Sequence, residues 1–183
     1  VLSYTAFASN DSHLVNYYAQ RNLDVPYHNL DEGPNPHSHV KIDSVSSVCP
    51  CAGLSALSTQ SHADNPANDW MYRTAEYVLS EMKPACYWGE NAPALYTNKG
   101  KKVREGLIEI GRKYGYTMSF YKTKSLLHGI PQIRNRSFFF FWKGDQAPVF
   151  NFYEREMEKI EDLMVNAKGN SQTEPINKKT PSN

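Results

Sequence analysis

The sequence predicts an α/β fold with a parallel sheet and helices on both of its faces. Two observations carry that reading. Short strand-like runs alternate with stretches whose apolar residues recur at helical spacing. The runs also end in polar residues, at the edge where an open α/β sheet binds its ligands. At 183 residues the chain suffices for one domain with a sizeable core.

Taken in order, residues 4–8 read as a strand ending at Ser9-Asn10-Asp11, 14–21 as a helix, and 25–28 as a short strand closing near Asp31. Residues 32–41 are polar and broken by Gly33-Pro34 and Asn35-Pro36, which makes them loop. Residues 44–49 form a buried strand that delivers Pro50 and Cys51 at its carboxyl end. The stretch 57–68, rich in Ser, Asn, Asp and His, is a long mobile loop. Residues 69–82 make a helix with apolar Trp70, Ala75, Val78 and Leu79, stopped by Pro84. Then come a strand over 85–89 that ends at Glu90, a helix over 101–114, and strands over 118–122 and 137–142. Met157, Ile160, Leu163 and Met164 give 153–166 a helical period. From Ala167 onward the chain is polar, so 1–166 is the expected domain and 167–183 a linker or disordered tail.

Charge does not announce a partner: 20 basic and 19 acidic residues leave a net +1. Any contact with nucleic acid has to come from local clusters, such as Lys99, Lys101, Lys102 and Arg104, or the arginines of residues 132–136. Three cysteines without framework spacing fit a reducing compartment, so the expected location is cytoplasmic, or nuclear in a eukaryote. No second Cys or Cys/His pair stands at finger spacing, so no metal site is expected. No signal peptide and no run of membrane-spanning length is visible.

Three segments carry chemistry. Cys49-Pro50-Cys51-Ala52-Gly53-Leu54-Ser55 sets a thiol after a proline, in a turn whose backbone N–H groups favour a thiolate. Glu90-Asn91 puts a carboxylate at a strand end. Gln132-Ile133-Arg134-Asn135-Arg136 alternates two arginines, which project to one side if the segment is extended. Singly, each has a plain reading: a buried cysteine, a strand-to-loop turn, a solvated charged face. A phosphate-loop cysteine enzyme is excluded, because residues 52–58 contain no Arg.

In this order the segments resemble the catalytic half of the cytosine-5 DNA methyltransferases. The resemblance spans about residues 5 to 150 and is most specific at the cysteine turn and at Gly129-Ile130-Pro131-Gln132-x-Arg134-x-Arg136. It implies a Rossmann-like S-adenosylmethionine-dependent fold, truncated here, and transfer of a methyl group to carbon 5 of cytosine through a covalent cysteine adduct. By resemblance Cys51 is the nucleophile, Glu90 the acid, and Arg134 and Arg136 its partners. Pro50, Ser55, Asn91 and Gln132 are then substrate-site residues. Asp11 corresponds to the acid that binds the cofactor's ribose, Asp31 to the one that accepts from its adenine, and Met71 to an apolar wall of that pocket. Ser12 replaces a common aromatic, Ala52 a common glutamine and Asn68 a common arginine. Double-stranded DNA with its target cytosine is the implied partner, together with a complementary domain or chain.

In the family pattern, the first strand and glycine-rich cofactor loop would precede Val1, and a target-recognition domain would follow residue 166. The chain alone is therefore expected to bind S-adenosylmethionine weakly and to turn over little. Transfer-RNA cytosine methyltransferases share these motifs, and a catalytically silent binding subunit is the reading from another class.

Overall fold

The computed structural model describes residues 7–9, 27–29, 41–55, 59, 62, 64–150, 155–157 and 159–161. Phe7–Ser9 (β1) and Tyr27–Asn29 (β2) pair in parallel, with Phe7 opposite Tyr27. Ser44–Val48 (β3) leads through the helix Asp69–Tyr77 (α1) to Cys86–Asn91 (β4). The helix Lys101–Lys113 (α2) then leads to Tyr116–Lys124 (β5) and Asn135–Lys143 (β6). The predicted helix at 14–21 lies outside the described residues.

The last four strands make one sheet in the order β3-β4-β6-β5. β3 and β4 are parallel, as expected for strands joined through a helix, but β4 and β6 are antiparallel. The expected all-parallel sheet is thus corrected to a mixed one. The physical reason is the link between β5 and β6: residues 125–134 are too few for a parallel crossover, which takes a dozen or more. Ser125 N donates to Arg134 O at 2.9 Å and Gly144 N to Gly115 O at 2.9 Å, closing both ends of a hairpin. Gly115 (φ 77°) and Gly144 (φ 102°) take up left-handed backbone at the open end, where the chain enters β5 and leaves β6.

One sheet face carries the core. Tyr87, Phe139 and Phe141 are wholly buried there against Met71 and Ala75 of α1 and Val103 and Leu107 of α2. Both described helices therefore lie on a single face. The other face bears a half-buried aromatic row, with Phe140 stacked on Trp142 at 5.3 Å and on Trp88 at 6.2 Å. An apolar run that is not alternating, Phe138 to Trp142, is what a strand loaded on both faces requires.

Three boundary expectations change. Val78–Met82 continues α1 as a π turn rather than as regular helix. The expected mobile loop 57–68 ends in an ordered turn, Pro66–Asn68, capped by the Asn65 side chain, and Asn65 and Asn68 are buried. Arg155 is not helical but bridges His128, and among the described residues of this stretch helix is found at Ile160 and Glu161. Contacts divide the chain into one unit of Val1–Lys122 with Arg136–Val149 and another of Thr123–Asn135 with Phe150–Asn183.

Lys83 ends the π turn in left-handed backbone (φ 49°, ψ 46°), its N–H bonded to Val78 O at 2.9 Å. Its side chain is exposed, so the Cβ strain is uncompensated. Lys83→Gly is expected to raise stability by about 0.5–1 kcal/mol, the lost strain outweighing glycine's greater chain entropy. Urea unfolding of the two proteins checks the sign.

Candidate active site

The site is built at the carboxyl edge of the parallel pair. Val48, the last residue of β3, stands opposite Glu90 of β4. Past Val48 the chain turns one cysteine inward and the next outward. Cys49 is 7% exposed, and its thiol lies 3.8 Å from the Trp70 carbonyl and 3.8 Å from the Thr74 hydroxyl. Pro50, which cannot donate to a ladder, ends the strand. Cys51 is exposed and opens a turn closed by Leu54 N on Cys51 O at 2.9 Å, with Ser55 half-buried behind it.

The three thiols are therefore unlike. Burial pushes the Cys49 and Cys86 thiols up from their ordinary range, and Ser47 and Thr74 offset this only partly at Cys49. Since the thiolate is the reactive form, both should alkylate more slowly at neutral pH than Cys51, which water reaches. Peptide mapping after brief iodoacetamide treatment is expected to find the label first on Cys51, with Cys49 gaining only as pH rises.

Glu90, expected at the end of a strand over 85–89, is the next-to-last residue of β4, opposite Phe138 of β6. Burial alternates along this strand. Tyr87, Gly89 and Asn91 face the helices, while Trp88 and Glu90 face the other way. Arg136 shares its face of β6 with Phe138 and so reaches Glu90 on the diagonal. Its Nε ion-pairs with Glu90 Oε1, and the two side chains are 28% and 22% exposed. Partial burial of both partners and the rigid guanidinium fork fix the carboxylate's direction.

Asn91 is turned away from Glu90 by the same alternation. Its amide donates to Met71 Sδ at 3.4 Å and its carbonyl accepts from Ala92 N at 2.8 Å. With Asn91 at 1% and Met71 at 0% exposure, neither offers a surface to a ligand; both brace the strand that holds Glu90. Gln132 and Arg134 are exposed and belong to the second unit. The expected extension of their segment is corrected: Gln132 N bonds Ile130 O at 2.8 Å and Arg134 N bonds Gln132 O at 3.1 Å, so it is tightly turned before β6 begins.

Asp11, Ser12 and Asp31 lie outside the described residues, a short step along the chain from the carboxyl ends of the parallel β1 and β2. The basic cluster expected to meet phosphates is largely spoken for. Lys102 pairs with Asp64, Lys101 with Glu105 at 3.7 Å, and Arg104 donates to the Leu95 and Thr97 carbonyls. Arg104 is thus a clamp on the Pro93–Gly100 turns, a role its place in a charged run concealed. Among the described residues no helix is long and apolar enough to cross a membrane.

The family described as C-5 cytosine-specific DNA methylase matches over residues 2–182. No curated protein sequence matches significantly. Among solved structures, a DNA modification methyltransferase encoded within an E. coli prophage superposes with a TM-score of 0.61 at 21% identity, over 77% of this chain and 40% of that one. The Entamoeba histolytica methyltransferase EhMeth gives 0.54 at 13% identity, over 88% and 60%. A DNMT2 variant from Spodoptera frugiperda gives 0.56 at 10% identity, over 86% and 48%. At these identities the likeness is one of fold. This chain spans between 40% and 60% of the length of those structures.

Proposed function

Because the chain belongs to the C-5 cytosine-specific DNA methylase family, we propose that it supplies the nucleophile and the acid–arginine pair of a DNA (cytosine-5)-methyltransferase. The observation that carries this reading is the Glu90–Arg136 ion pair, beside the sheet edge where β3 delivers an exposed thiol. A thiolate, a carboxylate and a guanidinium are what activation of a cytosine ring needs.

Carbon 5 of cytosine is too poor a nucleophile to take a methyl group unaided. The Cys51 thiolate adds to carbon 6; the carbon–sulfur bond forms and the ring π pair shifts toward carbon 5. Glu90 presents its carboxyl group to ring nitrogen 3, where a proton or hydrogen bond relieves the charge that addition creates. Arg136 pairs with the carboxylate at Oε1 and so orients it. S-adenosylmethionine, when bound, supplies an electrophilic methyl group on a sulfonium. Once carbon 5 carries the methyl group, loss of its proton re-forms the ring double bond and expels the Cys51 thiolate. Asp11, Ser12 and Asp31 are the residues assigned to the cofactor, and their place in the sequence soon after the parallel strands β1 and β2 supports this.

Double-stranded DNA is the proposed substrate, with the cytosine extruded at a cost of a few kcal/mol. The greater length of the matched structures supports a complementary domain or chain completing the DNA-binding surface. A reducing compartment, cytoplasmic or nuclear, suits chemistry that depends on a free exposed thiol.

The test is covalent capture. Single-stranded oligonucleotides carrying 2-pyrimidinone, whose carbon 6 accepts a thiolate without methyl transfer, remove the extrusion cost. Peptide mapping is expected to place the adduct on Cys51 and to find it reduced in Glu90→Gln. An adduct on Cys49 or Cys86, or none in a protein that alkylates normally, would sink the assignment. Methyl transfer to DNA but not to transfer RNA, with the complementary segment present, separates the two substrate classes.

A further inference from the structure

The turn that carries Cys51 is held from beneath. Leu54 closes it and is wholly buried in the core. Gly53 is buried too, although Cys51 and Ala52 beside it are exposed. What covers Gly53 is the side-chain amide of Asn68. A Cβ on Gly53 would stand 2.7 Å from Asn68 Cγ and 2.8 Å from Nδ2, far inside ordinary contact.

Asn68 is in turn fixed. It is 1% exposed, its Nδ2 donates to the His62 carbonyl at 3.1 Å, and its N–H donates to Asn65 O at 2.9 Å. Asn65 Oδ1 caps Ala67 N at 2.9 Å, so the turn that presents Asn68 is itself closed. A planar amide meets both demands on this position. It occupies the space that a Gly53 side chain would take, and its donor edge reaches a carbonyl of the preceding loop. Alanine would leave that carbonyl without its donor, and aspartate would set a buried charge against it.

We propose that Asn68 is a positioning residue for Cys51, setting the thiol through its contact with Gly53 and tying the turn to the loop that contains His62. The proposal rests on Cys51 being the nucleophile. A displacement of about 1 Å at a reacting centre costs roughly a hundredfold in rate, so a prop directly beneath the turn acts on chemistry more than on folding.

Gly53→Ala, Asn68→Ala and the double variant test it beside the parent chain, well below each melting temperature. The readouts are the Cys51 alkylation rate relative to Cys86 and the yield of the Cys51 adduct with the 2-pyrimidinone oligonucleotide. Gly53→Ala is expected to lower the adduct about tenfold and Asn68→Ala a few-fold, with the double variant recovering most of the Gly53→Ala loss because the collision is gone. Cys86 should not change. Effects that simply multiply, or single variants that leave Cys51 unaltered, overturn the proposal. If Gly53→Ala does not fold, recovery of folding in the double variant is the same coupling; a double variant that also stays unfolded counts against it. Coupled alkylation rates without any parent adduct would defeat the proposed reaction and leave the positioning intact, and an adduct without coupling would do the reverse.

Discussion

Replacing Cys51 with serine is expected to abolish methyl transfer in the completed enzyme, by a factor on the order of 10³ or more, while DNA retention stays unchanged. A hydroxyl ionises far less readily than a thiol, so it cannot add to carbon 6 at neutral pH, yet it fills the same space in an exposed turn. The neighbouring thiols cannot substitute. Cys49 points into the core toward Trp70 and Thr74, and Cys86 opens β4 at the end of the strand opposite Glu90. Glu90→Gln should cost less, about a hundredfold, because the amide keeps the shape but cannot deliver a proton to nitrogen 3. The measurement is initial methyl-transfer rate beside filter retention of the same DNA. Residual transfer by Cys51→Ser within tenfold of the parent would move the nucleophile elsewhere.

The sequence was most legible where chemistry and local pattern coincide. The strand that delivers Pro50 and Cys51 at its carboxyl end is found as β3, and Cys51 is exposed just beyond it. The sheet's final antiparallel strand was harder to see. Residues 123–135 have no helical period, and that missing crossover was the available signal for a hairpin. Glu90 is expected at the end of its strand, yet β4 runs on through Asn91. Gly89 is needed inside the strand, where the Phe139 ring packs on it and a Cβ would come within 2.7 Å of that ring. Asn91 and Met71 show the limit of carrying roles over by position: strand alternation turns Asn91 into the core, and Met71 is wholly buried on the core side of α1. The role of Asn68 was illegible, because nothing local to the 57–68 stretch reveals a contact with Gly53.

The largest stability effect is expected at Phe139. Its ring is wholly buried, lies over Gly89, and meets Tyr87 edge-on at 5.8 Å and Phe141 at 6.0 Å. Phe139→Ala removes those contacts and leaves a cavity beside β4, where neighbours bonded into two ladders cannot collapse to fill it. A loss of roughly 3–5 kcal/mol follows, a large share of the 5–15 kcal/mol that holds an ordinary domain. Phe140, next along β6, is the internal control. It faces the other way, half-buried between Trp88 and Trp142, and Phe140→Ala should cost only about 1–2 kcal/mol. Chemical denaturation of the three proteins reads both numbers. A cost at Phe140 equal to that at Phe139 would mean that the two sheet faces are equally buried and that the core is not confined to the helix side. The same cavity adjoins Gly89, one residue from Glu90. Any Phe139→Ala protein that stays folded should therefore lose the Cys51 adduct in step with the Glu90–Arg136 geometry, while iodoacetamide still labels Cys51 at the parent rate.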